Sequence, residues 1–147
     1  MNQFMPNHEV TKDEIAAIYP KVAAIVSDAL GRDSAEVKPD ASLISDLGAE
    51  SIDFLDIVFR LERAFKVKIP RGKLIEDARG TLSESEFENG GVVSEAGLTH
   101  LRAYLSEVPE ERLKPPLHVS EIPRLLTTET LCKIVIRQQR DAGALAT

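Results

Sequence analysis

Between Asp46 and Phe65 the chain changes character within a single turn. Asp46-Leu47-Gly48-Ala49-Glu50-Ser51-Ile52-Asp53 combines a glycine, a serine and three carboxylates, and opens directly onto an apolar run that ends at Phe65. Phe54, Ile57, Val58, Leu61 and Phe65 recur at helical spacing and make the inward stripe of a helix over residues 51–66. Ile52, Leu55 and Phe59 form a second stripe beside it. The next turn of that stripe is Glu62, which is costly to bury unpaired, so the stripe reads as a contact surface for a partner or for another part of the chain. Asp53, Asp56, Arg60 and Arg63 take the remaining polar side, with Asp56 and Arg60 as an i,i+4 pair. A helix that starts at or beside Ser51 puts its hydroxyl where unpaired N–H groups and the positive end of the helix dipole favour a phosphate. By position alone Ser51 is equally an ordinary N-cap.

The rest of the chain reads as helices around this point. Thr11-Lys12-Asp13-Glu14 is a capping box, and Ile15, Ile18, Val22, Ile25, Val26, Ala29 and Leu30 continue it as an amphipathic helix. Pro20 predicts a kink, or a regular helix that starts only there. Gly31 is the C-cap. Residues 32–50 form a long ordered loop pinned by Val37, Leu43, Ile44 and Leu47. Ile69-Pro70 opens a turn, residues 71–79 form a short helical piece stopped by Gly80, and 81–93 read as a mobile loop broken at Asn89-Gly90-Gly91. Ser94 caps a helix to about Ser106, with Leu98, Leu101 and Leu105 inward and Tyr104 beside them. An irregular, proline-punctuated stretch follows. Thr127 or Thr128 caps a last helix, in which Leu131, Ile134 and Val135 repeat, and whose end frays near residues 141–143.

Bulk properties exclude several functions. The 147 residues are 29% charged and 43% hydrophobic, the range of a water-soluble globular domain. A net charge of -6 argues against a nucleic-acid partner, whose phosphates need a basic surface. The stretch from Asp40 to Glu62 concentrates that charge: Asp40, Asp46, Glu50, Asp53, Asp56 and Glu62 stand against Arg60 alone. Such a face steers basic proteins. No apolar run reaches the roughly 18 residues of a membrane span, and the N-terminus has no secretory pattern. The single cysteine, Cys132, makes no internal disulfide and reads as a small buried residue. His8, His100 and His118 carry no metal spacing and read as surface residues. A cytoplasmic monomer without metal is expected. No nucleophile or acid–base constellation stands out beyond Ser51, so the protein reads as something other than an enzyme.

The octet resembles the prosthetic-group attachment motif of acyl carrier proteins, D-x-G-x-D-S-L, with Glu50 in place of the usual aspartate and Ile52 in place of the usual leucine. The resemblance extends over about residues 11–78, and Leu126-Thr127-Thr128-Glu129-Thr130-Leu131 is similar to the family's entry into its last helix. It implies an all-α fold, a four-helix bundle with an additional helix in an insert over about residues 80–124, in a single domain spanning 1–147. It implies that Ser51 bears 4'-phosphopantetheine covalently, attached by a phosphopantetheinyl transferase. The partner face would be Glu50, Ile52, Asp53, Leu55, Asp56, Phe59 and Glu62, met by acyl-loading and acyl-transfer enzymes with basic docking surfaces. Phe54, Ile57, Val58, Leu61 and Ile134 are candidate lining for an acyl cargo. Arg60 and Arg63 add positive charge to a helix that is usually acidic in the family. The expected function is to hold acyl intermediates as thioesters for fatty acid, specialised lipid or polyketide synthesis. The alternatives are an aminoacyl or peptidyl carrier of a nonribosomal pathway, or an unmodified protein-binding module. The insert helix around 94–106 is expected to pack on the bundle, where it enlarges the acyl cavity, makes a docking surface or only adds core.

Overall fold

The computed structural model describes residues 10–69 and 73–146, with the side chains of Ser51, 73–75 and 141–146 excepted. The expected fraying of residues 1–9, His8, the turn at Pro70 and the inward placement of Leu74 and Ile75 lie outside what it describes.

Helix α1, Lys12–Leu30, starts at the expected capping box: the Thr11 N–H donates to Glu14 Oε1 at 3.0 Å and the Glu14 N–H to Thr11 Oγ1 at 3.1 Å. The helix runs unbroken through Pro20 rather than starting there. Pro20 and Ala16, whose carbonyl the proline leaves without its helical donor, are both exposed, so water can satisfy that oxygen. Gly31 closes the helix in a left-handed conformation, φ 64°. The long loop that follows contains one 3-10 turn, Ser34–Glu36, and its expected pins hold: Val37, Leu43 and Leu47 are buried and Ile44 packs against them. Helix α2 is Ser51–Phe65, and α3 is the short Lys73–Arg79, closed by Gly80.

Residues 81–93 differ from the expected loop. Glu84–Phe87 is one helical turn, α4, and Glu88–Asn89 pairs antiparallel with Val92–Val93 as strands β1 and β2. Two local signals explain it. Ser83 and Glu86 form a capping box, Ser83 N–H to Glu86 Oε1 at 2.8 Å and Glu86 N–H to Ser83 Oγ at 3.2 Å. Asn89-Gly90-Gly91 is a hairpin turn, with both glycines at positive φ. Phe87, only 1% exposed, anchors the unit. Helix α5, Glu95–Tyr104, is capped by Ser94 as expected. Two further 3-10 turns, Glu110–Leu113 and Val119–Leu125, lead to α6, Thr128–Ala146, which continues past the point where fraying was expected. Thr127 caps α6 through its Oγ1, which accepts from the Thr130 N–H at 3.2 Å.

The fold is thus helical, with one two-stranded ribbon among the described residues. Helices α1, α2 and α6 pack together around Val22, Val26, Leu43, Ile57, Leu61 and Val135. A second cluster gathers Ala78, Phe87, Leu98, Leu101, Leu105, Leu113 and Ile122, with α3 packed on α5. Leu98 and Leu101 of α5 and its C-cap residue Leu105 therefore serve a core of the insert's own, not the bundle. The reason is chain economy: α4, the ribbon and both 3-10 turns are close to α5 in sequence, so only short loops have to close to join them.

Candidate functional site: the turn into helix α2

The site is built by backbone geometry. Glu50 is the N-cap of α2, and its N–H is held by Asp53 Oδ2 at 2.9 Å. Ser51 is the first residue of the helix. The N-cap position belongs to Glu50 and not to Ser51, so the ordinary N-cap explanation does not apply to the serine. The first intrahelical donor is the Phe54 N–H, to Glu50 O at 2.9 Å; the N–H groups before it face the helix entrance and carry the dipole's positive end. Glu50 and Ile52, on either side of Ser51, are exposed, with Ile52 at 73%, so the chain is open to solvent at this point.

The turn ahead of it is held at several points. Gly48 adopts φ +74°, which a side chain disfavours, while Leu47 and Ala49 on either side are buried anchors. The Gly48 N–H reaches Ile44 O at 3.1 Å and the Ala49 N–H reaches Leu43 O at 2.8 Å. Leu43 N–H in turn donates to Leu126 O at 3.0 Å, which ties the loop to the chain entering α6.

Helix α2 separates its two stripes as its pattern predicts. Ile57 and Leu61 are fully buried, with Phe54, Val58 and Phe65 half-buried. Ile52, Leu55 and Phe59 are the exposed large apolar side chains among the described residues. Ile134, from α6, is buried but belongs to neither core cluster. The carboxylates are mostly engaged locally. Asp56 accepts from Arg60 Nε at 3.1 Å, and half-buried Glu62 accepts from the Ile69 N–H at 2.7 Å, steadying the chain after α2 ends. Glu50 is exposed and Asp53 half-buried.

Cys132 is fully buried on α6, and burial pushes its thiol up to about 12, so it is not a nucleophile at neutral pH. His118 is exposed beside Glu121, and His100 is half-buried. No group of metal-binding side chains exists among the described residues.

A polar node went unseen in the sequence. Lys133 Nζ lies 2.6 Å from Glu107 Oε1, with both side chains more than nine-tenths buried, and Thr130 Oγ1 donates to the other Glu107 oxygen. A lysine inside the buried run Leu131–Ile136 was the available signal that a partner must exist, though nothing nearby in the chain identified Glu107 as that partner.

A family profile described as the phosphopantetheine attachment site matches residues 20–84, a range that includes Ser51. Acyl carrier protein AcpXL of Rhizobium etli is 38% identical over 74 residues, which cover 50% of this chain and 80% of that protein. The chain belongs to the acyl carrier protein family. A second similar acyl carrier protein, AcpXL of Rhizobium meliloti, is 36% identical over 74 residues, 50% of this chain and 78% of its own length. Members of the family carry 4'-phosphopantetheine covalently, and so does this acyl carrier protein. The turn fits the group: the residues on either side of the helix's first position are exposed, and the positive end of a helix favours a phosphodiester. The profile ends at residue 84, soon after the insert's core begins at Ala78. None of the described helices is long and apolar enough to cross a membrane.

Proposed function

We propose that Ser51 bears the 4'-phosphopantetheine and that this acyl carrier protein presents acyl intermediates to enzymes of fatty acid, specialised lipid or polyketide synthesis. The observation that carries the reading is the serine's place as the first residue of α2, behind a left-handed glycine and between two exposed neighbours. When bound, the group supplies a flexible arm ending in a thiol, which holds the acyl group as a thioester. The chain's own residues present and steer, and it catalyses no reaction itself. Ile52, Leu55 and Phe59 offer an apolar strip beside the arm. Glu50, Asp53, Asp56 and Glu62 border it with negative charge, which raises the encounter rate with basic partners such as a phosphopantetheinyl transferase or an acyltransferase. Phe54, Ile57, Val58, Leu61 and Ile134 line the space offered to the acyl chain. The protein works as a cytoplasmic monomer.

Intact mass tests the reading. After incubation with a phosphopantetheinyl transferase and coenzyme A, the protein gains one phosphopantetheine, and Ser51→Ala gains none. An unchanged wild-type mass refutes it. Loading with acyl rather than aminoacyl donors then separates it from a nonribosomal carrier.

A further inference from the structure

Ser42 lies in the loop that leads to Ser51, and it is the most densely bonded residue there. It is fully buried. Its N–H donates to Asp46 Oδ2 at 2.8 Å, and its carbonyl accepts from the Asp46 N–H at 3.0 Å and the Leu47 N–H at 3.1 Å. Its hydroxyl accepts from the Ser45 N–H at 3.0 Å and donates to the Arg124 carbonyl at 2.9 Å. The first four bonds close the turn that positions Gly48 and Ala49. The last crosses to the final 3-10 turn of the insert, Val119–Leu125. Ser42 also bridges to Thr127, and the Glu129 N–H reaches back to Pro39 O at 3.0 Å. The insert therefore leaves its own core and meets the attachment loop before it enters α6.

We infer that Ser42 is a positioning residue for the loading of Ser51, and that through its hydroxyl the insert fixes the shape of the turn the transferase must grip. The inference rests on Ser51 being the attachment site. A turn already held in its bound shape loses less freedom on docking, so its benefit falls on binding. Replacing the hydroxyl leaves the Ser45 N–H and the Arg124 carbonyl without their partner and loosens the turn. The covalent step itself is untouched, because Ser42 does not meet the reacting oxygen.

Initial rates of mass gain on the full unmodified chain, with a phosphopantetheinyl transferase and coenzyme A, test this. Ser42→Ala raises the KM for the carrier about tenfold with kcat unchanged. Ser42→Thr, which keeps the hydroxyl, restores most of the loss. Val22→Ala, a truncation in the bundle core with no hydrogen bond to lose, lowers the melting temperature and leaves the KM at the wild-type value. Should Ser42→Ala fail to fold, Ser42→Cys, which keeps the shape and weakens the donor, is read in its place. A wild-type KM in the folded Ser42 variant overturns the inference and leaves the Ser51 reading standing. An equal rise in Val22→Ala overturns it as well, since loss of stability would then explain the effect. A wild-type chain that gains no mass overturns both.

Discussion

The bundle of α1, α2 and α6 and the stretch over about residues 80–124 bury apolar surface by different means. The bundle uses long helices with regular stripes, and it leaves Ile52, Leu55 and Phe59 in water on one face of α2. The insert uses a one-turn helix, a ribbon of two two-residue strands, a ten-residue helix and two 3-10 turns, and among its described residues no large apolar side chain is exposed. A contiguous strip of uncovered apolar surface confers no stability on the isolated protein and marks a place of contact. The difference therefore puts the uncovered apolar strip on the bundle, while the insert leaves none among its described residues.

Helix α6 is where the two regions meet, and its charges show how each is attached. Toward α1 it offers Arg140, paired with Glu14 at 2.7 Å and about one-third exposed. Toward the insert it offers the buried Lys133–Glu107 pair and Arg137, which lies 4.3 Å from the Tyr104 ring centre. Removing one partner of a buried pair leaves an uncompensated charge. Glu107→Ala should thus cost about 3–5 kcal/mol in urea unfolding, the largest effect expected here. The double replacement Glu107→Leu with Lys133→Met recovers much of it. A loss of under about 1 kcal/mol in the single variant would break the view that a buried pair joins the regions.

Within the insert, Gly97 gives a test of sign. Alanine ordinarily improves a helix by about 1 kcal/mol over glycine. Here a Cβ would run into the Phe87 carbonyl and lie 2.8 Å from Val93 Cγ1. Gly97→Ala should destabilise by about 1–3 kcal/mol in thermal or urea unfolding, and a stabilising change would mean that α5 is not packed tightly on α4 and the ribbon.

The surface pair gives a smaller, pH-dependent effect. The Thr11 backbone bond first, and Arg140 second, hold the Glu14 carboxyl below its ordinary 4.5. Its folded pKa is depressed, so its contribution is present above about 4.5 and is lost as pH falls through the folded value. Glu14→Gln should flatten the acid limb of the stability profile and leave the alkaline limb alone. The smallest stability effect belongs to the exposed strip: Phe59→Ser should change unfolding free energy by no more than about 0.5 kcal/mol. The same variant should raise the KM of an acyl-transfer partner, and an unchanged KM would remove Phe59 from the docking face.

Some of this was written locally. The capping box at Thr11, the glycine stop at Gly31, the caps at Ser94 and Thr127, and the two stripes of α2 all lie within a few residues of their causes. The turn before Ser51 was readable for the same reason. Ser83-Glu84-Ser85-Glu86 and Asn89-Gly90 carried equally local signals for α4 and the ribbon, but their polar, glycine-rich composition suggested a loop. Phe87, the one large apolar residue between Leu82 and Val92, was the clue that the segment folds against something.

By itself the sequence determined the caps that open α1, α5 and α6, which side of α2 stays in water, and that a serine follows a glycine turn at a helix entrance. Caps, periodicity and dihedral preference act over about four residues, so the chain states them directly. Only the tertiary structure decided that Leu98, Leu101 and Leu105 form a second core, that Lys133 meets Glu107, and that Ser42 clasps the insert's exit. Those outcomes depend on which distant surfaces can touch once the helices exist, and a leucine or a hydroxyl bears no mark of the partner it will find.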